Sequence, residues 1–169
     1  MHSIHPYLTP VISEASEKQR RYDQLYMDIA LRCSDESVDK RRRVGAVVVK
    51  DNSIVAWGFN GTPANTPNEC EQYALSRLNP CNPDSTLWFK GNSKPTVLHA
   101  EKNALLKLAR SSYSAVGTTL YCTDCCCLAC ALDWAAAGAK ELVYQYPYRL
   151  EDGLDHLRQQ GVTVRFLGG

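Results

Sequence analysis

The stretch from Thr119 to Gln145, TLYCTDCCCLACALDWAAAGAKELVYQ, decides how this chain folds. It opens on a short apolar run, Thr119 to Cys122, that reads as a strand. From about Cys127 to Ala137 the composition turns to alanine, leucine and tryptophan, which predicts a helix closed by Gly138. Glu141 to Gln145 follows as a second strand. Downstream, Leu150, Leu154 and Leu157 mark a last helix, and Val162 to Phe166 alternates as a final strand. Upstream, a helix is expected from about His99 to Arg110. Val44 to Lys50 and Ser53 to Asn60 are β-branched runs around Asp51-Asn52, a good hairpin turn. Tyr22, Leu25, Tyr26, Ile29, Ala30 and Cys33 recur at i, i+3, i+4, i+7, i+8 and i+11, the apolar face of a helix that starts near Glu17. Strands alternating with helices after an initial hairpin predict an α/β domain, with helices on both faces of a mostly parallel sheet.

Two segments lack a period. Residues 1–16, with His5, Pro6 and Pro10, read as a mobile N-terminal arm ahead of a single domain over 17–169. Gly61 to about Pro95 holds five of the eight prolines and reads as a long irregular loop.

The chain has 169 residues, 44% of them hydrophobic and 22% charged, as in a globular protein. Lysine plus arginine (19) nearly cancels aspartate plus glutamate (18), leaving a formal charge of +1. That balance argues against a large nucleic-acid surface. No apolar run reaches the roughly 18 residues of a membrane span, and Met1 to Pro10 lacks the apolar segment of a secretory signal. A cytoplasmic protein is expected.

Eight cysteines are many for a reducing compartment. Cys122, Cys125, Cys126, Cys127 and Cys130 crowd together, where a disulfide framework would spread its cysteines; crowding points to metal. Cys127 and Cys130, one helical turn apart, share a face at the start of a predicted helix, where the helix N-terminus favours thiolates. His99 opens another predicted helix, with Glu101 two residues on. One imidazole and two thiolates leave a fourth tetrahedral position for water, the pattern of a catalytic zinc site. There zinc would turn water into hydroxide near neutral pH, and Glu101 could shuttle its proton.

His99-Ala100-Glu101 and Cys127-Leu128-Ala129-Cys130 together resemble the H-x-E…P-C-x-x-C pattern of the zinc nucleobase deaminases. The strings HAEKNAL (His99 to Leu105) and WGFNGTP (Trp57 to Pro63) resemble the deoxycytidylate (dCMP) deaminase branch of that cytidine/deoxycytidylate deaminase family. The similarity runs from about Tyr22 to Phe166. It implies a three-layer α/β/α cytidine deaminase-like fold around a five-stranded mixed sheet. It implies a Zn2+ hydrolase acting on a cyclic amidine C–N bond, which converts dCMP to dUMP and ammonia and supplies thymidylate synthesis. His99, Cys127 and Cys130 are the implied zinc ligands and Glu101 the proton shuttle. Asn60 matches the residue that meets the substrate sugar, and Tyr148 an aromatic near base and sugar. Arg41 or Arg43 matches the basic position at the phosphate.

The loop from Gly58 to Asn65, with Gly58, Asn60, Gly61 and Asn65, matches a regulatory site that takes dCTP as activator and dTTP as inhibitor, the triphosphate accompanied by Mg2+. A homo-oligomer, commonly a hexamer, is implied as well. Three positions depart from the family. Cys126 replaces the proline before the first metal cysteine, Asn65 replaces a second glycine, and the long loop lacks histidine. Cys33, Cys70 and Cys81 are candidates for a second zinc, without a fourth ligand.

Competing functions are a dCTP or dual dCMP/dCTP deaminase, a polynucleotide or tRNA deaminase, and a non-catalytic zinc module that binds nucleotides. The near-zero charge opposes the polynucleotide reading. Glu101 opposes the binding module, which needs no acid beside an open metal position.

Overall fold

In the computed structural model, residues 14–77, 86–147 and 151–168 are described. The elements in chain order are α1 (Glu14–Ser34), β1 (Gly45–Lys50), β2 (Ser53–Phe59), β3 (Glu71–Arg77), β4 (Thr86–Ser93), α2 (Ala100–Ala109), β5 (Thr119–Asp124), α3 (Leu128–Ala136), β6 (Glu141–Tyr146), α4 (Asp152–Gln159) and β7 (Thr163–Phe166). The strand–helix–strand reading of Thr119 to Gln145 corresponds to β5, α3 and β6, and β6 runs parallel to β5. The helix α1 starts at Glu14, ahead of the Glu17 expected. The arm assigned to the first residues otherwise lies outside the described residues, as does Leu150.

Five strands form one sheet in the order β2-β1-β5-β6-β7. β1 is antiparallel to both β2 and β5, while β5–β6 and β6–β7 are parallel. The sheet is therefore mixed, as the family resemblance implied, and not mostly parallel: the turn between β1 and β2 reverses the chain before the first crossover. Asp51 and Asn52 sit at φ 49° and 59°, the paired left-handed conformation of a tight hairpin turn.

The segment expected as a long irregular loop contains a hairpin. Within Gly61 to Pro95, β3 and β4 pair antiparallel from Glu71 opposite Ser93 to Arg77 opposite Thr86. None of the five prolines falls inside either strand, so the prolines punctuate a hairpin and do not prevent one.

Alternation along the strands divides the core. Val47, Val49, Tyr121 and Val143 point to one face and pack on Tyr26, Met27 and Ala30 of α1. Ala46, Val48, Leu120, Cys122, Leu142 and Tyr144 point to the other, under α2, α3 and α4. Burial on both faces explains why β1 and β6 read as continuous apolar runs. A buried polar staple fixes α1 to the far strands. Asp23 accepts from Tyr121 Oη at 2.7 Å and from Arg165 Nη1 at 2.6 Å, and Arg165 Nε reaches Glu141 at 2.6 Å. Burial alone would raise the Asp23 carboxyl, but the bonds from Arg165, Tyr121 and Gln19 win and hold it below its ordinary value.

Helix α2, which carries the candidate chemistry, lies close against β2. A Cβ on Gly58 would stand 2.4 Å from Ala100 O and 2.7 Å from Ala104 N. Glycine at 58 is thus a packing requirement. No helix among the described residues is long and apolar enough to cross a membrane.

Candidate metal centre

Both halves of the centre sit where helices begin. His99 is the N-cap of α2 and Cys127 the N-cap of α3, each in extended backbone, with Cys130 in the first turn of α3. Three contacts set the two helix starts against each other. Trp134 Nε1 donates to Glu101 O at 3.2 Å, Lys102 Nζ meets Asp133 at 3.0 Å, and α4 presses on the loop before α3. The last contact depends on Gly153, whose Cβ would lie 2.3 Å from Cys126 O.

His99 Nδ1 lies 3.4 Å from Cys127 Sγ and 3.5 Å from Cys130 Sγ. All three ligand atoms fall within 4.8 Å of one another, and they form the one such group of three or more among the described residues. Tetrahedral zinc bonds of about 2.3 Å to sulfur and about 2.0–2.1 Å to nitrogen give N···S edges of about 3.5 Å. Donor chemistry and spacing both fit zinc. In the protein alone, the Cys127 thiol is pulled down to about 4 by hydrogen bonds from Cys130 and His99, which outweigh burial. The shared proton stays on Cys130, whose thiol is pushed up, and the bond to Cys127 raises the His99 imidazole. Cys127 thus offers a thiolate already, while a cation would have to displace the protons held by Cys130 and His99.

Glu101 is buried, and burial pushes its carboxyl up. It lines, with His99 and Cys127, a cavity of about 290 Å³. Its backbone is anchored by Trp134, so the acid is held beside the donor set by the interior.

The other expected site residues divide. Asn60 lines the same cavity, but its amide is fully used inside the protein. Oδ1 accepts from Val44 N and Ser37 Oγ, both at 2.8 Å. Nδ2 donates to Arg42 O at 2.9 Å and to Asp39 Oδ2 at 3.3 Å. An amide has two acceptor and two donor positions, so Asn60 shapes the wall by tying residues 37–44 together. All three arginines at 41–43 are exposed, and Arg42 is the one that lines the cavity. Asp39 Oδ1 accepts from the backbone N–H groups of Arg41 and Arg42, and this turn aims the middle arginine inward, where it pairs with Asp124. Tyr148 and Cys81 lie outside the described residues.

Gly61 and Asn65 line a second groove, of about 420 Å³, together with Lys107. Asn65 has φ 65°, so asparagine supplies the left-handed backbone that a glycine would otherwise provide. Gly58 does not line this groove; it is the contact point with α2. Cys33 is half-buried against the α1 core and Cys70 fully buried, and they join no metal-binding group among the described residues. Cys122, Cys125 and Cys126 are buried in the core. No acidic group gathers for Mg2+ among the described residues. Arg42, Asp124 and Lys94 were not singled out from the sequence. Asp39, placed two and three residues before the N–H groups it caps, was the one local signal for Arg42.

A sheet of this order, with nitrogen and sulfur donors at two helix starts on one face, is the cytidine deaminase-like class of α/β/α fold. Residues 20–146 match the family model described as the cytidine and deoxycytidylate deaminase zinc-binding region. The deoxycytidylate deaminase of Saccharomyces cerevisiae is 34% identical over 149 residues, covering 85% of this chain and 44% of that protein. That of Mycobacterium phage D29 is 35% identical over 125 residues, covering 73% and 93%. Among solved structures, the dCMP deaminase of cyanophage S-TIM5, in complex with dCMP and dUMP, superposes with a TM-score of 0.74 at 40% identity, covering 87% of this chain and 97% of that one. The chain belongs to the cytidine and deoxycytidylate deaminase family. It spans less than half the length of the Saccharomyces cerevisiae relative.

Proposed function

We propose that this protein deaminates dCMP hydrolytically to dUMP and ammonia, a step that supplies thymidylate synthesis. The observation that carries the reading is the convergence of His99 Nδ1, Cys127 Sγ and Cys130 Sγ within 4.8 Å of one another, with His99 and Cys127 on the wall of a cavity that Glu101 also lines. The cyanophage protein that binds dCMP and dUMP supports the choice of nucleotide.

His99, Cys127 and Cys130 would hold the zinc, and Glu101 stands next to their cavity with a carboxyl raised by burial. Zinc so bound supplies Lewis acidity, which lowers the pKa of a water from about 15.7 to about 7. Glu101 takes a proton from the water that attacks C4 of cytosine and gives it to ring N3. It then takes the proton of the new C4 hydroxyl and delivers it to the departing amine, so that the C4–N bond breaks as the carbonyl forms. Burial favours the protonated form of this carboxyl, the form that donates to N3 and to the amine. Asn60 and Asp39 keep the segment 37–44, and with it Arg42, in place along the nucleotide.

The reading includes regulation by dCTP and dTTP in the second groove, where Gly61, Asn65 and Lys107 would meet the nucleotide. Among the described residues, Lys107 and Glu36 are the charged ones lining it, so a triphosphate there would draw further positive charge from a neighbouring subunit. The protein is taken to be a cytoplasmic homo-oligomer, hexameric by resemblance. The exposed Trp57 on the edge strand β2, with Leu106, offers apolar area for such contacts.

Ammonia release from dCMP, dCDP and dCTP by the zinc-loaded protein, with and without dTTP, tests this function. Turnover is expected to be highest with dCMP and to fall when dTTP is added. Equal rates whatever the phosphate number would defeat the assignment to dCMP.

A further inference from the structure

Among the described residues, the cavity beside Glu101 has two further cations on its wall, Arg42 and Lys94, and they are not equivalent. Arg42 is matched from within: its Nε donates to Asp124 Oδ1 at 2.9 Å, and Asp124 lines the same cavity. Lys94 is matched from outside. Its Nζ stands 3.2 Å from Glu69 Oε2, and Glu69 is not part of the cavity wall. The Glu69 side chain is 73% exposed and that of Lys94 33%, so water screens the pair and it is weak.

The Lys94 backbone is nonetheless fixed. Its N–H donates to Cys70 O at 2.7 Å and its carbonyl accepts from Val97 N at 3.0 Å, at the foot of the β3–β4 hairpin. A rigid base with a loosely paired ammonium is suited to exchange one anion for a stronger one. A phosphate monoester carries close to two negative charges and three acceptor oxygens near neutral pH, more than a single carboxylate offers.

We propose that Lys94 is a specificity-determining residue, which releases Glu69 to take the phosphate of a nucleoside monophosphate in the Glu101 cavity. The inference rests on the nucleotide reading of that cavity and gives its phosphate requirement a second source beside Arg42. The two further phosphates of a triphosphate would have to displace Glu69 further, which favours the monophosphate.

The test compares wild type, Lys94→Met and Lys94→Arg, each loaded with zinc. Ammonia release from dCMP gives KM and kcat, and calorimetry gives the affinities for dUMP and deoxyuridine. Lys94→Met is expected to raise KM for dCMP about tenfold with a smaller change in kcat, the mark of lost ground-state binding. Its affinity for dUMP should fall by a similar factor and that for deoxyuridine should hold, while Lys94→Arg recovers most of the loss. A wild-type KM and dUMP affinity in Lys94→Met, or equal weakening of dUMP and deoxyuridine, would overturn the role of Lys94. If wild type releases no ammonia from dCMP, the deaminase reading fails, and the comparison of dUMP with deoxyuridine still decides Lys94. Failure of wild type to bind dUMP overturns both.

Discussion

Glu101→Gln is expected to lower dCMP turnover by about 10²–10⁴-fold, the range for loss of a general acid–base group, while one zinc per chain stays bound. The two outcomes separate because Glu101 belongs to the cavity wall and not to the group of metal donors. Glutamine keeps the size and polarity of the buried side chain, and Trp134 holds the backbone carbonyl of residue 101 whatever the side chain is. The fold should therefore survive, and the loss should fall on kcat. Zinc by elemental analysis and kcat by ammonia release are the paired measurements. Turnover near wild type would remove Glu101 from the proton path.

Cys127→Ser is expected to abolish zinc binding at stoichiometric concentration and turnover with it. Changes in the outer shell of a zinc site already weaken metal binding about 10–100-fold, and this variant removes one of three donors outright. Cys126→Ala is the control. Its thiol is buried in the core and lies outside the donor group, so the variant should keep its zinc. Zinc retained by Cys127→Ser, or lost from Cys126→Ala, would show that the crowded cysteines had been divided wrongly.

That division was legible in the sequence because it depended on local rules. A C-x-x-C at a helix start puts both sulfurs on one face, and H-x-E at another helix start separates a ligand from an acid. The strand–helix–strand stretch after Thr119 and the Asp51-Asn52 turn were legible for the same reason. The β3–β4 hairpin was hidden by the density of proline around it, although the prolines fall outside the strands. Arg42 was hidden because residues 40–43 belong to no regular element, and no period says which of three consecutive arginines turns inward. The inward one was fixed by Asp39, Asn60 and Asp124, partners that only the tertiary fold assembles. Asn60 shows the opposite case. The motif assigned it to the substrate sugar, and it does line the cavity, but its four hydrogen-bonding positions are spent on partners that only the fold brings together. Gly58, assigned by position to a regulatory loop, owes its identity to the approach of α2.

Zinc K-edge absorption on the loaded wild-type protein tests the central claim most directly. The account predicts one zinc per chain bound by two sulfurs at about 2.3 Å and by light atoms at about 2.0–2.1 Å, one of them from His99 and one from solvent. A shell of three or four sulfurs would mean that Cys125 or Cys126 closes the site and leaves water no place to react. Absence of zinc from the loaded sample would contradict the account outright.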